Sequence, residues 1–164
     1  MLSAPEPLGP KHGLDGFSSD VPVLDDWLKR RALANQASGA SRTFVVCEEG
    51  KVVGYYALAA SAVVPEQALG RFRRNMPNPV PVIVLARLAV AASHQGRGIG
   101  RGLFQDAARR VIATADSIGV RGMIVHAISE KAAEFYRNLG LAPSPLDPMT
   151  LMVTVADLRA SVKK

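Results

Sequence analysis

The 164 residues suffice for one domain with a sizeable hydrophobic core, and 48% hydrophobic with 21% charged residues is the composition of a soluble globular protein. A single cysteine, Cys47, excludes an intramolecular disulfide, and the longest apolar run, residues 52–64, is too short to span a bilayer. Twenty Lys and Arg against 14 Asp and Glu give a net charge of +6, which favours an anionic partner such as nucleic acid, a phosphate-bearing ligand or an acidic protein.

The N-terminal stretch carries an acid and prolines in place of a basic end and an apolar run, so no secretory signal is expected and the expected compartment is the cytoplasm. Residues 1–20, rich in Pro, Gly, Ser and Asp, read as an extended arm or short strand. A helix is expected from Val21, with Asp20 as its N-cap and Pro22 in its first turn. Leu24, Trp27, Leu28 and Leu33 form its buried stripe, while Lys29, Arg30 and Arg31 fill the opposite face, as solvated charge or as part of a binding surface. Residues 38–41 end it. Arg42–Glu48 reads as a strand, joined by the turn at 49–51 to a second strand over 52–64, so the pair forms a hairpin. Cys47, within the run FVVC, is expected to be a buried, inert thiol. Pro65 stops the hairpin. Residues 66–78 then interrupt the sheet with three arginines in four positions, Arg71, Arg73 and Arg74. That segment is expected on the surface, as an ordinary charged helix or as a set of phosphate contacts.

Val80–Val90 is apolar and β-branched, as a strand in a sheet interior requires. After a short polar turn at Ser93 and His94, glycine recurs at Gly96, Gly98 and Gly100, followed by Leu103, Phe104, Ala107, Ala108 and Val111 at helical spacing. The helix is expected to run to about residue 118 and to stop at Gly119. Glycines at such a handover let the backbone turn tightly and approach a ligand, and the helix start offers N–H groups and a positive dipole end. This arrangement suits a pyrophosphate. A P-loop is excluded, because no Gly-Lys-Ser/Thr follows at the required spacing, and the dinucleotide fingerprint fails because Arg101 and Leu103 stand where it needs glycine. Beyond lie a strand over 120–127, a helix from Ser129 lined by Ala132, Ala133, Phe135, Tyr136 and Leu139 and capped by Gly140, a last strand over 149–155, and a tail helix ending in Lys163 and Lys164. The order predicts one α/β domain, residues 1–164, with a mixed central sheet, an antiparallel N-terminal hairpin and flanking helices.

Gln95, Gly98 and Gly100, read as Gln-x-x-Gly-x-Gly, resemble the pyrophosphate signature of the GNAT superfamily of acetyl-CoA-dependent acyltransferases. Residues 132–140, AAEFYRNLG, resemble the motif of the same family in which a tyrosine faces the thioester. The resemblance implies that backbone amides of Gln95, Gly96, Arg97, Gly98, Ile99, Gly100 and Arg101 hold the CoA pyrophosphate. It also implies that main-chain groups of Leu88, Ala89 and Val90, at the end of a splayed strand, orient the pantetheine arm and polarise the thioester carbonyl. An amine then attacks acetyl-CoA directly, with Tyr136 as the general acid; a phenol with a pKa of about 10 is protonated at neutral pH. The amine must be neutral. Glu134 and His126 are the available bases, and neither convinces, His126 reading better as a structural histidine. That favours an acceptor of low pKa, such as an α-amino group at about 7.7 to 8.0. No metal is expected.

Trp27 in LDDWL, together with RTFVV, VVGYYALA, LARLAV, QGRGIG, VHA and FYRNLGL, looks like the GNAT toxins of bacterial toxin–antitoxin pairs. This closer resemblance implies acetylation of the α-amino group of aminoacyl-tRNA, inhibition of translation, a ribbon-helix-helix antitoxin and a homodimer. Arg71, Arg73, Arg74 and Arg87 are then candidates for tRNA phosphate contacts. Two rival readings stay open: a GNAT enzyme for a small amine or a protein N-terminus, and a module that binds acetyl-CoA without turnover. The basic balance argues against polyamines, and Tyr136 argues against the idle module.

Overall fold

The computed structural model describes residues 1–162; Lys163 and Lys164, the expected end of the tail helix, lie outside the described residues. In chain order the elements are β1 (Glu6–Pro7), α1 (Pro22–Arg30), α2 (Ala32–Ser38), β2 (Arg42–Glu48), β3 (Lys51–Val63), α3 (Gly70–Arg73), β4 (Val80–Val90), α4 (Ile99–Ala115), β5 (Gly122–His126), α5 (Glu130–Asn138), β6 (Ala142–Pro143), β7 (Thr150–Thr154) and α6 (Val155–Val162). The strands form a mixed seven-stranded sheet in the order β1-β2-β3-β4-β5-β7-β6. The residues fall into two compact units, one comprising Met1–Ala59 with Ala86–Ala107, the other Ala60–Leu85 with the chain from Ala108 onward. β3, β4 and α4 each begin in one unit and end in the other.

In the first unit β1, β2 and β3 pair antiparallel, with Glu6 opposite Val45 and Arg42 opposite Leu58. The expected hairpin forms because Glu49 and Gly50 both adopt positive φ, 53° and 78°, the twist a tight turn between strands demands. Pro22 opens α1 as expected, but Asp20 does not cap it: Val21 holds the N-cap position and Asp20 itself sits at φ 70°. The entry is fixed from inside the helix instead. Buried Asp25 accepts the Ser19 N–H at 3.0 Å and the Ser19 hydroxyl at 2.6 Å. The single helix expected over this region is two, broken at Arg31 (φ −120°, ψ −30°). The break turns Leu33 out of the stripe, leaving it 39% exposed, while Ala32 takes the buried position. Leu24 and Leu28 are buried as expected, and Lys29, Arg30 and Arg31 are exposed.

The second unit carries the parallel pairing of β4 with β5, from Val82 opposite Gly122 to Leu85 opposite Val125. β5 pairs antiparallel with β7, and β7 with β6. Its core gathers Ala68, Phe72, Val80, Val82, Ile124 and Met152. Thus the arginine-rich insert is not confined to the surface: Ala68 and Phe72 anchor it, while Arg71, Arg73 and Arg74 stay exposed. Gly122 is required beneath Phe72, because a Cβ there would lie 2.9 Å from the ring and 2.1 Å from the Val153 carbonyl oxygen. α4 ends at Ala115, ahead of the expected stop at Gly119, and a turn over Asp116, Ser117 and Ile118 follows. α5 starts as read, with the Ser129 hydroxyl accepting the Ala132 N–H at 3.1 Å, and Gly140 follows its end at φ 103°.

Candidate active site

In the first unit the glycine turn has the anticipated geometry. β4 ends at Val90, a short 3-10 turn covers Ala92–His94, and α4 begins at Ile99. Gly96 and Gly98 take φ of 81° and 82°, a region that penalises any Cβ, whereas Gly100 already lies in the first helical turn. No atom lies within 4 Å of where a Cβ on Gly96 or Gly98 would sit, so the backbone faces open space. Left-handed residues alternating with ordinary ones turn successive N–H groups toward one point, and the first turn of α4 adds its own N–H groups and positive dipole end. A diphosphate fits such a cradle.

The side chain of Gln95 has a use that the motif alone does not reveal. Its Nε2 donates to the carbonyls of Val90 at 3.0 Å and Ser19 at 3.1 Å, which ties the turn to the end of β4 and to the entry of α1. Leu88, Ala89 and Val90 form that last stretch of β4, with Ala89 buried and its neighbours half-buried. Arg97 donates to the Ser93 carbonyl at 3.3 Å, and Arg101 stands exposed on α4. Beneath the turn, Gly54 of β3 allows α4 to close down: a Cβ there would meet Val46, Leu103 and Ile99 at 3.0 to 3.3 Å.

Arg87 is engaged with an aromatic stack. Its guanidinium lies 4.9 Å from the Trp27 ring centroid, and Trp27 stacks on Tyr55 at 6.0 Å and 11°. The Tyr55 hydroxyl donates to the Leu24 carbonyl at 2.6 Å, so α1, β3 and β4 share one polar-tipped cluster.

In the second unit Tyr136 lies on the inner face of α5, only 6% exposed, with its ring edge-on to Phe135 at 5.1 Å. Burial pushes its phenol well above the usual tyrosine range, so it holds its proton. His126 stands exposed at the end of β5 in a chain of hydrogen bonds that single-residue reading missed. The Thr150 hydroxyl donates to Asp147 at 3.0 Å, so it accepts from the His126 Nδ1–H at 3.0 Å, and this tautomer leaves Nε2 as the acceptor. Glu134 is exposed on α5, and no hydrogen bond to it is found among the described residues.

The three insert arginines are unequal. Arg71 makes a two-point contact to Asp157, Nε to Oδ2 at 2.9 Å and Nη2 to Oδ1 at 2.5 Å, and that contact holds the Asp157 carboxyl below its ordinary range. Arg121, which carries no motif signal, donates to the carbonyls of Phe72 and Arg71 at 2.7 Å each and so fastens α3. Arg71, Arg74 and Arg121 border a depression of about 260 Å³, and Arg73 and Arg74 point to solvent.

Residues 39–140 match the acetyltransferase (GNAT) domain family, and with the mixed sheet and the glycine turn before α4 they define an acyltransferase of that class. The chain belongs to the GNAT family. Over 160 residues it is 49% identical to a tRNA-acetylating toxin of Mycobacterium tuberculosis, an alignment covering 98% of this chain and 96% of the relative. A probable toxin TacT of Sinorhizobium fredii shares 23% over 167 residues, covering 94% and 92%. Among solved structures, AtaT complexed with acetyl-methionyl-tRNAfMet has the same fold, with a TM-score of 0.90 at 24% identity over 98% of each chain. A Tyr-to-Phe mutant of AtaT bound to the C-terminus of the antitoxin AtaR and acetyl-CoA gives 0.86 at 25% identity over 99% of each. No helix among the described residues is long and apolar enough to cross a membrane.

Proposed function

We propose that the chain is an acetyl-CoA-dependent N-acetyltransferase that acetylates the α-amino group of aminoacyl-tRNA, and that it is the toxin of a toxin–antitoxin pair, blocking translation. The 49% identity across nearly its whole length to a tRNA-acetylating toxin carries this reading. The named complexes of its structural relatives with acetyl-CoA and with an antitoxin support it.

Acetyl-CoA supplies an activated acetyl thioester and a diphosphate. The backbone amides of Gln95, Gly96, Arg97, Gly98, Ile99, Gly100 and Arg101 hold the diphosphate in the cradle described above. Main-chain groups of Leu88, Ala89 and Val90 align the pantetheine arm and polarise the thioester carbonyl. Tyr136 gives its phenolic proton to the departing sulfur as the N–C bond forms and the C–S bond breaks. An α-amino acceptor is largely neutral near pH 8, so the chain needs no strong base, and the proton that the attacking nitrogen sheds passes to solvent. Arg73, Arg74 and, less freely, Arg71 and Arg87 meet tRNA phosphates. A ribbon-helix-helix antitoxin, a homodimer, a cytoplasmic setting and action as one domain over residues 1–164 complete the proposal.

Transfer of labelled acetyl from acetyl-CoA to bulk charged tRNA tests it, with spermidine and a protein N-terminal peptide in parallel. Label is expected on aminoacyl-tRNA. Tyr136→Phe is expected to lower transfer by at least about tenfold with acetyl-CoA affinity nearly intact, as loss of a general acid requires. Label on the amine or peptide alone would overturn the tRNA acceptor, and unchanged turnover in Tyr136→Phe would remove Tyr136 from the mechanism.

A further inference from the structure

Apart from the acetyl-transfer residues, the first unit brings a carboxylate, an imidazole and a thiol to one point. Glu6 lies in β1, His12 follows the turn at Gly9, and Cys47 lies in β2 where the pairing register shifts between Val46 and Cys47. Such a bulge re-aims the side chain that follows it. One ligand atom from each residue, a carboxylate oxygen, a ring nitrogen and Sγ, lies within 4.8 Å of the other two. Donors around a tetrahedral zinc ion stand about 3.3 to 3.8 Å apart, given metal–ligand bonds of about 2.0 to 2.3 Å. His12 and Cys47 are buried, at 9% and 6% exposure, and the Glu6 side chain is 41% exposed.

The surroundings of His12 point the same way. Its Nδ1 lies 2.9 Å from the Gly9 N–H nitrogen and 3.2 Å from the Gly9 carbonyl oxygen, so one residue satisfies it in either tautomer. Without an ion, Nε2 carries the proton and donates to Glu6 Oε1 at 2.7 Å. With the proton moved to Nδ1 and given to the Gly9 carbonyl, the Nε2 lone pair faces the Glu6 carboxylate, a pairing that only a cation between them makes favourable. A carbonyl behind a ligating histidine is the usual outer support of such a ligand. Cys47 is clamped as well: its N–H donates to the Ser3 hydroxyl at 2.9 Å and its carbonyl accepts the Ser3 N–H at 2.8 Å. A cavity of about 460 Å³, bordered by Ser3, Lys11 and Glu49, opens onto the three side chains and leaves room for a water as fourth ligand.

We propose that Glu6, His12 and Cys47 form a binding site for a zinc-class divalent transition metal, which ties the N-terminal arm to β2. A thiolate with an imidazole suits that class, whereas magnesium and calcium require mostly oxygen donors. The charges balance: one carboxylate and one thiolate neutralise the dication. Each ion bound forms metal–sulfur, metal–nitrogen and metal–oxygen bonds and releases the Cys47 thiol proton to solvent.

Cobalt(II) titration of the untagged full chain, stripped with chelator and dialysed, tests this. A thiolate-to-cobalt charge-transfer band and intense tetrahedral d–d bands are expected to saturate at one equivalent per chain and to vanish when zinc(II) is added. Cys47→Ser and His12→Gln are expected to lose the bands. Glu6→Gln keeps a hydrogen-bonding group in place and is expected to weaken cobalt binding by about tenfold or more, with the far-UV circular dichroism unchanged. Amide exchange over residues 1–13 is expected to slow on zinc addition. Absence of the charge-transfer band in the parent chain, or equal binding by the parent and folded Glu6→Gln, would overturn the proposal.

Discussion

A buried phenol drops out of the pH dependence expected of this enzyme. Burial is the cause that raises the Tyr136 pKa, and a raised pKa means the acid form persists to higher pH. Activity therefore gains nothing from Tyr136 on the acid side and loses nothing to it through pH 9. The group that does titrate is the acceptor, whose α-amino pKa of about 7.7 to 8.0 predicts a rise of tenfold per pH unit below pH 7 and a plateau above about pH 8.5. Initial rates corrected for ester hydrolysis check this, and a descending alkaline limb that disappears in Tyr136→Phe would contradict it. The burial of Tyr136 on α5 was legible in the sequence because the apolar spacing of that helix is local. The partners of other residues were not. Asp25 caps Ser19 from six residues downstream, Gln95 reaches back to the Ser19 carbonyl, and Thr150 orients His126 across two strands. Sequence spacing carries no sign of such bonds.

At the scale of elements, two glycines of the α4 region predict opposite outcomes. Gly54 sits where Val46, Ile99 and Leu103 converge, and a methyl group there must push on side chains that are themselves packed. Gly54→Ala is expected to destabilise the protein by about 1 to 3 kcal/mol, the usual range for overpacking, and to weaken acetyl-CoA binding, because Ile99 and Leu103 belong to the first turns of the helix that follows the cradle. Gly102 lies exposed within α4, its backbone is helical, and apart from its chain neighbours and the helix's own backbone no atom lies within 4 Å of where an added methyl group would sit. Gly102→Ala is expected to stabilise by roughly 0.5 to 1 kcal/mol through the lost flexibility of glycine. Urea midpoints for the two variants check both signs. Strands β2, β3, β4, β5 and β7 and the helices α4 and α5 were readable because their apolar periodicity agrees with their packing, whereas β6, two residues long, has no periodicity to read. The break at Arg31 and the burial of Ala68 and Phe72 were not, since neither a proline nor a glycine marks the first, and a charged composition masks the second.

For the molecule as a whole, the charge of +6 turns the tRNA reading into a question of salt. Each phosphate neutralised by an arginine contributes about −0.9 to the slope of log affinity against log salt on a duplex, and about −0.7 on a single strand. The charge count treats Arg71, Arg73 and Arg74 as equivalent, but the ion pairs do not. Asp157 already occupies the Arg71 fork at two points, so a phosphate must displace a carboxylate to use it. Arg73 and Arg74 are exposed, and among the described residues no carboxylate is found against either. Double replacement of Arg73 and Arg74 by alanine is therefore expected to flatten the slope by roughly 1.4 to 1.8. Arg71→Ala is expected to change it much less. Asp157→Asn sharpens the test, because it frees the Arg71 guanidinium while leaving an amide of the same shape in place. That variant is expected to bind tRNA more tightly at low salt and with a steeper slope, the reverse of what a merely destabilised insert would give. Filter binding of aminoacyl-tRNA across a salt series reads all four chains, and an unaltered slope in the double variant would move the phosphate contacts off the insert.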